Sequence, residues 1–293
     1  MGKELTDKFS VARQTFEEAD AALGIALSTL CFEGPEEELR RTEITQPSIL
    51  TVSVATWRVL AERGVKPAWV AGHSLGEYSA HVAAGTLSFA DAVRTVRNRG
   101  RYMQEAVPAG VGAMAAILGM EADKVRGICV DAAQGEVCEA ANMNSPEQVV
   151  ISGHKGAVER AVALATEQGA KKAVLLPVSA PFHCSLMRPA QERLALDLNS
   201  LRIQNPAVPV MCNVDSRFVE TAAASRDALV RQVTGTVRWE ECVRGLIADG
   251  AETFVEVGPG KVLWGLMRQI DRSKTSWQTS DEAALEKAVA GFV

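Results

Sequence analysis

One stretch, WVAGHSLGEYSAH at residues 69–81, constrains the fold more than any other part of the sequence. A short apolar run, PAWVA, predicts a strand, and residues 75–84 predict a helix that follows it after a tight turn. A second long helix is predicted just before the strand, over residues 46–64. Helices on both sides of a strand are typical of a parallel α/β sheet, which is the fold class that we expect.

The turn itself holds one serine, Ser74, between Gly72 and Gly76. A G-x-S-x-G sequence also arises by chance, and its alternative interpretation is a glycine-rich turn with a solvated serine. Here it lies between a predicted strand and a predicted helix, which is the context of a nucleophile elbow. In such an elbow we expect larger side chains to collide at both glycine positions. The N–H of Leu75, at the start of the helix, would then be free to stabilise an oxyanion.

The middle of the chain changes character after residue 108. We predict a strand, a helix, a hairpin, a helix and a strand, at residues 113–119, 121–134, 137–153, 155–168 and 172–179. This order is ferredoxin-like. We therefore expect a ferredoxin-like small subdomain at 109–178, inserted into a discontinuous α/β catalytic subdomain formed by 1–108 and 179–293.

A serine nucleophile needs a base, and a histidine distant in sequence is the usual one. His73 would point away from the site at the strand end, although it could line it. His81 lies two turns along the helix, and His154 lies where the hairpin ends. His183 follows the last strand of the insertion on a proline-containing loop, so elimination favours it as the base; Cys184 beside it is expected to be a buried thiol. No Asp or Glu stands out as the acid of a triad.

The helix predicted at 88–107, with Ser88 as its N-cap, carries four arginines. At about 100° per residue, Arg99 falls within an apolar stripe, and the other three arginines fall on the opposite side. A buried arginine keeps its proton and needs an anionic partner. Two interpretations remain open: a structural ion pair with a buried carboxylate, or a fork that binds a substrate carboxylate.

Composition excludes several classes of function. With 31 Lys and Arg against 36 Asp and Glu, the net charge is −5, which argues against nucleic acid as a main partner. No apolar run is long enough to span a membrane, and the polar start MGKELTDKF does not resemble a signal peptide. Six scattered cysteines suit reduced thiols in a cytoplasmic protein, and four histidines without ligand spacing predict no metal site.

Several motifs together resemble the malonyl-CoA:acyl carrier protein transacylases and the acyltransferase domains of fatty acid and polyketide synthases. They are GHSLGEYSA, the helix end RGRYMQEAVP, NMNSPEQVVISG, VSAPFHCSLM, ALVRQ and VEVGPGKVL, and they cover nearly the whole chain. The resemblance implies an α/β-hydrolase-like parallel core. It also implies malonyl-CoA as substrate, acyl carrier protein as partner, and no bound cofactor.

The resemblance also assigns roles to residues. It implies that Ser74 is the nucleophile, His183 the base and Arg99 the clamp for the malonyl carboxylate, and that the backbone carbonyl of Gln232 orients the histidine. Asn142 and Asn144 match a pair of asparagines at the family's cleft; the alternative interpretation is that they form a simple turn. Phe182 matches the malonyl-selective pattern of the family.

The sequence departs from the family at its start. The family opens with a strand and a G-Q-G-S-Q loop, whose glutamine amide supplies the second half of the oxyanion hole. Here MGKEL matches the residues that follow that loop. Two other functions are therefore weighed beside malonyl transfer: a serine esterase or thioesterase, and a catalytically idle acyl-binding protein.

Overall fold

The computed structural model of the chain describes residues 1–178 and 180–292. The helices are α1 (Lys3–Lys8), α2 (Ser10–Leu23), α3 (Leu27–Glu33), α4 (Glu36–Leu39), α5 (Thr42–Glu62), α6 (Leu75–Ala83), α7 (Phe89–Glu105), α8 (Ala122–Ala133), α9 (Lys155–Glu167), α10 (Arg188–Ser200), α11 (Ala222–Arg231), α12 (Trp239–Ala248), α13 (Val262–Ile270) and α14 (Glu282–Ala290). The strands are β1 (Val70–Ala71), β2 (Gly112–Leu118), β3 (Cys138–Ser145), β4 (Gln148–His154), β5 (Lys172–Leu175), β6 (Val210–Met211), β7 (Phe218–Val219), β8 (Thr253–Glu256) and β9 (Thr275–Gln278). A 3₁₀ turn spans Ser185–Met187. The fold is mixed α/β.

The largest apolar core lies among helices α2, α5, α7 and α10. Phe16, Leu60 and Leu194 are buried there, at 2% exposure or less. Helix α7 begins where the sequence predicts, because the Ser88 hydroxyl accepts the Asp91 N–H at 3.1 Å as an N-cap. This core fixes α7 against α5, and so sets the position of the arginine that α7 carries on its buried face.

The parallel part of the fold consists of short strands. β1 pairs in parallel with β6, through Val70 and Val210, and β6 pairs antiparallel with β7. β8 and β9 form a separate parallel pair. Parallel pairing is therefore confirmed. The run VPVMCNV at 208–214 also predicts a strand, but it and the strand predicted at 67–71 each retain only two paired residues, and β7 runs antiparallel.

A cavity of about 380 Å³ separates β1 from β8. Val70 and Ala71 line one side and Val255 the other, while helices α5, α6, α12 and α13 enclose it. In the described part of the chain, β1 is the end strand of its sheet and β8 pairs only with β9. The cavity thus lies between two strand edges that have no partner on the facing side.

A second, antiparallel sheet has the strand order β3-β4-β2-β5. Helices α8 and α9 pack on it around a core of its own, which includes Ile117, Ile128 and Ile151. The order strand, helix, two strands, helix, strand is the one that the sequence predicts. The hairpin turns at residues 146–147, so Asn144 lies in strand β3 and not in the turn itself.

Other parts of the prediction are wrong or untested. Residues 8–30 have a sequence that predicts one helix, but the structure divides them, because Gly24 adopts φ 64° and ends α2 there. Helix α10 and strand β7 were not predicted. Ser179, the end of the predicted last strand of the insertion, and Val293 lie outside the described residues. Among the described helices, none combines the length and the apolar character needed to cross a membrane.

Candidate active site

Ser74 lies in the sharp turn between β1 and α6. Its backbone adopts φ 51° and ψ −105°, a conformation that few non-glycine residues occupy. A Cβ at Gly72 would lie 1.9 Å from the Gly76 carbonyl, so the turn closes only with glycine there. A Cβ at Gly76 would meet nothing within 4 Å. The expectation that both glycines avoid a collision is correct for Gly72 and wrong for Gly76.

The turn places the Ser74 hydroxyl against a histidine from a distant part of the chain. Ser74 Oγ lies 2.7 Å from His183 Nε2, and His183 Nδ1 lies 3.0 Å from the backbone carbonyl oxygen of Gln232. A carbonyl can only accept, so Nδ1 carries the proton and Nε2 is free to accept the serine proton. Burial, and then the charge of Arg99, lower the pKa of His183 to about 3, which keeps the ring neutral.

The other histidines and Cys184 lie outside this pair. His81 is fully buried in α6, with its pKa lowered to about 4 by burial. His154 ends β4, where its Nδ1 accepts the Val137 N–H. Cys184 is also fully buried, and burial raises the pKa of its thiol to about 11. None of these three residues is placed to act as the base for Ser74 or to replace Ser74 as the nucleophile.

Arg99 points from α7 directly at the serine. Its Nη2 donates to Ser74 Oγ at 3.0 Å and to Gln232 Oε1 at 3.0 Å, and its Nη1 donates to Gln46 Oε1 at 2.8 Å. Only 2% of the side chain is exposed. No ion pair among residues 1–178 and 180–292 includes Arg99. The interpretation as a direct ion pair is therefore wrong: among the described residues the buried cation donates hydrogen bonds only to neutral oxygen atoms. It also lies 5.7 Å from the centre of the Tyr78 ring, and the charge of Glu77 acts on it only through space.

Of its helix neighbours, Arg94 and Arg101 are exposed, as predicted. Arg97 is half-buried and donates to the carbonyl of Leu23, so it is less solvated than predicted.

Leu75 is the first residue of α6, and its N–H belongs to the first turn, which has no intrahelical acceptor. That donor lies beside Ser74, where an oxyanion would form.

The other residues that the sequence predicts for the site differ in their contacts. His73 Nε2 lies 2.8 Å from Asn144 Oδ1, and the His73 ring packs near Trp239 at a centroid distance of 5.6 Å. Phe182 is half-buried and packs against the main core and against a separate small cluster of Met114, Ala141 and Val150. Asn142 lies in β3 and forms an isolated parallel bridge with residue 237. The simple-turn alternative is wrong for both asparagines, since both lie in β3.

Three polar residues of the site were missed from the sequence. Gln46 holds Arg99, and Glu77 is a fully buried carboxylate in α6 whose pKa burial raises to about 7. Asn213, also fully buried, bonds to both sides of the Ser74 turn. One signal could have found Asn213: it follows a strand parallel to β1, and the carboxyl ends of parallel strands meet at one edge.

A serine on a strained elbow, a neutral histidine and a backbone carbonyl are the arrangement that acyl transfer through a serine nucleophile requires. The sequence matches the acyl transferase domain family over residues 1–288. The chain therefore belongs to this family, as its motifs indicate.

Individual relatives are similar over almost their full length. A malonyl CoA-acyl carrier protein transacylase of Salmonella typhimurium is 50% identical over 287 residues, which are 98% of this chain and 93% of that protein. The structure of the malonyl CoA-acyl carrier protein transacylase from Coxiella burnetii has a TM-score of 0.97 and 44% identity, covering 99% of this chain and 92% of that one. A malonyl-transacylase solved in complex with a type II PKS acyl-carrier protein has a TM-score of 0.97 and 46% identity, covering 99% and 94%.

Proposed function

We propose that this chain transfers a malonyl group from malonyl-CoA to the phosphopantetheine thiol of acyl carrier protein, in fatty acid or polyketide synthesis. One observation carries the substrate assignment. The Arg99 guanidinium lies 3.0 Å from Ser74 Oγ and contacts no carboxylate among the described residues. An acyl group that carries its own carboxylate supplies the partner that this buried charge lacks. The relatives named above act on this substrate.

The first half-reaction loads the serine. Ser74 Oγ forms a bond to the thioester carbonyl carbon while His183 Nε2 takes its proton, which the 2.7 Å contact allows. The Leu75 N–H stabilises the oxyanion of the tetrahedral intermediate. The carbon–sulfur bond then breaks, and the CoA sulfur leaves with the proton from His183.

The second half-reaction reverses these roles. The carrier thiol gives its proton to His183 Nε2 and attacks the malonyl ester carbon; the ester bond breaks and the proton returns to Ser74 Oγ. Throughout, the Gln232 carbonyl keeps the proton on His183 Nδ1, at 3.0 Å. A backbone carbonyl can replace the acid of a triad here, because the histidine only has to be oriented. The low pKa of His183 favours its neutral ring, so no carboxylate is needed to balance a positive charge.

The outer residues receive substrate-binding roles in the same proposal. Arg99 binds the malonyl carboxylate, and Phe182, His73, Asn142 and Asn144 line the cleft that holds the acyl chain. Support comes from the contact of His73 with Asn144, which joins the elbow to strand β3 across the site. A cleft between two packed units is a common place for a substrate.

We also infer the finer architecture. Residues 1–108 and 179–293 form an α/β-hydrolase-like catalytic subdomain, and residues 109–178 a ferredoxin-like insertion. Separate apolar cores, one among α2, α5, α7 and α10 and one under the antiparallel sheet, support this division. The six cysteines are free and buried, which supports a cytoplasmic location.

One transfer experiment separates the candidate functions. The protein is mixed with malonyl-CoA, with and without acyl carrier protein that bears phosphopantetheine, and malonyl-carrier and free malonate are quantified. We expect malonyl-carrier to form and little malonate to appear without the carrier. Rapid release of malonate to water would identify an esterase instead, and no consumption of malonyl-CoA would identify an acyl-binding protein.

A further inference from the structure

The fully buried side chain of Asn213 spans the turn that carries the nucleophile. Its Oδ1 accepts the Ser74 N–H at 2.7 Å, and its Nδ2 donates to the Gly72 carbonyl at 2.8 Å. Asn213 therefore binds the backbone on both sides of His73. Because Gly72 and Ser74 lie 141 and 139 positions away in the sequence, this is a tertiary contact and not part of a local turn.

The turn needs such a contact because its conformation is strained. A non-glycine residue in a sparsely populated φ/ψ region is strained and persists only where the surrounding structure holds it. Ser74, at φ 51°, is such a residue. Without Asn213, the Ser74 N–H would also lose its acceptor in a partly buried site. Relaxation of the turn would move Ser74 Oγ away from His183 Nε2.

A second side chain holds the other backbone group of Ser74. Gln232 Nε2 donates to the Ser74 carbonyl at 2.8 Å and to Glu77 Oε2 at 2.8 Å. The backbone N–H of Asn213 donates to the same Glu77 oxygen at 3.0 Å. The two residues that hold Ser74 therefore meet at one buried carboxylate, which fixes them relative to each other.

We propose that Asn213 is a positioning residue for the nucleophile: it holds the Ser74 turn so that Oγ faces His183 and Arg99, and Glu77 fixes Asn213 in place. The proposal deepens the acyl transfer assigned above and rests on Ser74 being its nucleophile. It adds a residue that contacts neither the acyl group nor the reacting atoms. Asn213 acts only through the geometry of the elbow.

The test uses a reagent that needs no malonyl group. A fluorophosphonate reacts with an activated serine: the serine oxygen bonds to phosphorus, fluoride leaves, and the histidine takes the proton. The rate of Ser74 labelling is measured for the wild-type protein and for Asn213→Leu, which keeps the branched arrangement of side-chain heavy atoms but removes both hydrogen bonds. Asn213→Asp keeps the acceptor for the Ser74 N–H. Asn205→Leu is the control, because Asn205 is an exposed asparagine that accepts the Ala222 N–H far from the turn.

We expect Asn213→Leu to label about 10²-fold more slowly per folded molecule, since misplacing a reacting group by about 1 Å costs that much. Asn213→Asp should recover part of the rate, and Asn205→Leu should label as the wild type does. A folded Asn213→Leu that labels within threefold of the wild type would overturn the proposal. So would failure of both Asn213 variants to fold, because Asn213 would then serve folding alone.

Malonylation of Ser74 from malonyl-CoA is measured on the same samples. A wild-type protein that labels with the fluorophosphonate but takes no malonyl group would refute the proposed substrate and leave the comparison of Asn213 variants valid. A wild-type protein that does not label at Ser74 would overturn the role of Asn213, since there would be no activated serine to position.

Discussion

At the scale of single residues, we propose that Arg99 selects the acyl group that the site accepts. Its guanidinium is buried, and within residues 1–178 and 180–292 its hydrogen bonds go only to Gln46, Gln232 and the Ser74 hydroxyl. Burial lowers the pKa of Arg99, but arginine keeps its proton in proteins. A charge held in this way, beside the nucleophile, favours an acyl group that brings an anion to it.

We expect Arg99→Ala to lower malonyl transfer by about 10²-fold, the value of charge-assisted hydrogen bonds of about 3 kcal/mol. Acetyl transfer should be unchanged or faster, because the uncharged group leaves no buried cation without a partner. Arg99→Lys should rescue poorly, since an ammonium is not a planar fork. Transfer rates with malonyl-CoA and acetyl-CoA test this, with Arg101→Ala on the exposed face of the same helix as control. An equal loss with both donors would remove Arg99 from substrate selection.

A second residue-scale prediction concerns His81 and pH. Both of its ring nitrogens lack a hydrogen-bond partner among the described residues, and burial lowers its pKa from 6.5 to about 4. Between pH 6.5 and pH 4, His81 therefore binds a proton in the unfolded chain but not in the folded chain. The free energy of unfolding consequently decreases as the pH falls from 6.5 towards 4. One such group changes the free energy of unfolding by at most about 1.4 kcal/mol per pH unit.

We expect His81→Leu to lose less stability than the wild type between pH 7 and pH 5, by about 2 kcal/mol. Urea unfolding of both proteins at the two pH values measures the difference. The other buried groups, His183 and Glu77, are present in both proteins and cancel in the comparison. The same loss in both would show that His81 does not contribute to acid sensitivity.

At the scale of elements, the junction of β1 and α6 depends on one glycine. A Cβ at position 72 would overlap the Gly76 backbone at 1.9 Å, whereas a Cβ at position 76 meets nothing within 4 Å. Gly72→Ala should therefore abolish folding or Ser74 reactivity. Gly76→Ala should be tolerated and add up to about 1 kcal/mol, the preference of a helix for alanine. Urea unfolding compares the pair, and equal effects would contradict this account of the turn.

The elements differ in how well the sequence predicts them. The elbow and the inserted order of strands and helices are encoded locally, by glycines and by apolar periodicity, and both were predicted. Strands β6 and β7 have two residues each, so pairing with a neighbour and not a sequence period defines them. Helix α10 did leave a signal that was overlooked, since Ala190, Leu194 and Leu198 recur at helical spacing on its buried face.

The sequence likewise predicts only some of the residues of the site. Ser74 follows from the elbow, His183 from elimination, and the burial of Arg99 from an inward helix face, whereas the proposed role of Arg99 as a carboxylate clamp follows only from the family resemblance. Asn213 is indicated only by its place after a strand that pairs with β1, and Glu77 is not indicated at all, because their roles depend on contacts between residues 136 or more positions apart. The orienting carbonyl of Gln232 belongs to the backbone, where residue type carries no information, and only the family resemblance indicated it.

At the scale of the whole molecule, the cavity of about 380 Å³ between β1 and β8 lies in the layer of the strands. We expect an added N-terminal segment with a strand and a G-Q-G-S-Q loop to fill it, because both facing edges offer backbone groups. The loop would follow the strand at the edge where Ser74 lies and supply a second oxyanion donor.

The extended protein should melt at a higher temperature and transfer malonyl about 10²–10³-fold faster, the usual value of one oxyanion donor. A matched extension, with a Gly-Ser repeat in place of the strand, should do neither. Melting temperature and turnover of the three proteins are compared. Equal turnover of all three would mean that the site already has its full set of oxyanion donors.

The most direct test of the account is the location of the acyl group on the protein itself. Wild-type protein and Ser74→Ala are incubated with malonyl-CoA, and the mass of the intact protein and of its peptides is measured before and after acyl carrier protein is added. We predict one malonyl group on Ser74 in the wild type, its discharge to the carrier thiol, and no adduct in Ser74→Ala, because no other hydroxyl lies 2.7 Å from His183 Nε2 in the described residues. A malonyl group on another residue, or an adduct of equal rate in Ser74→Ala, would contradict the account.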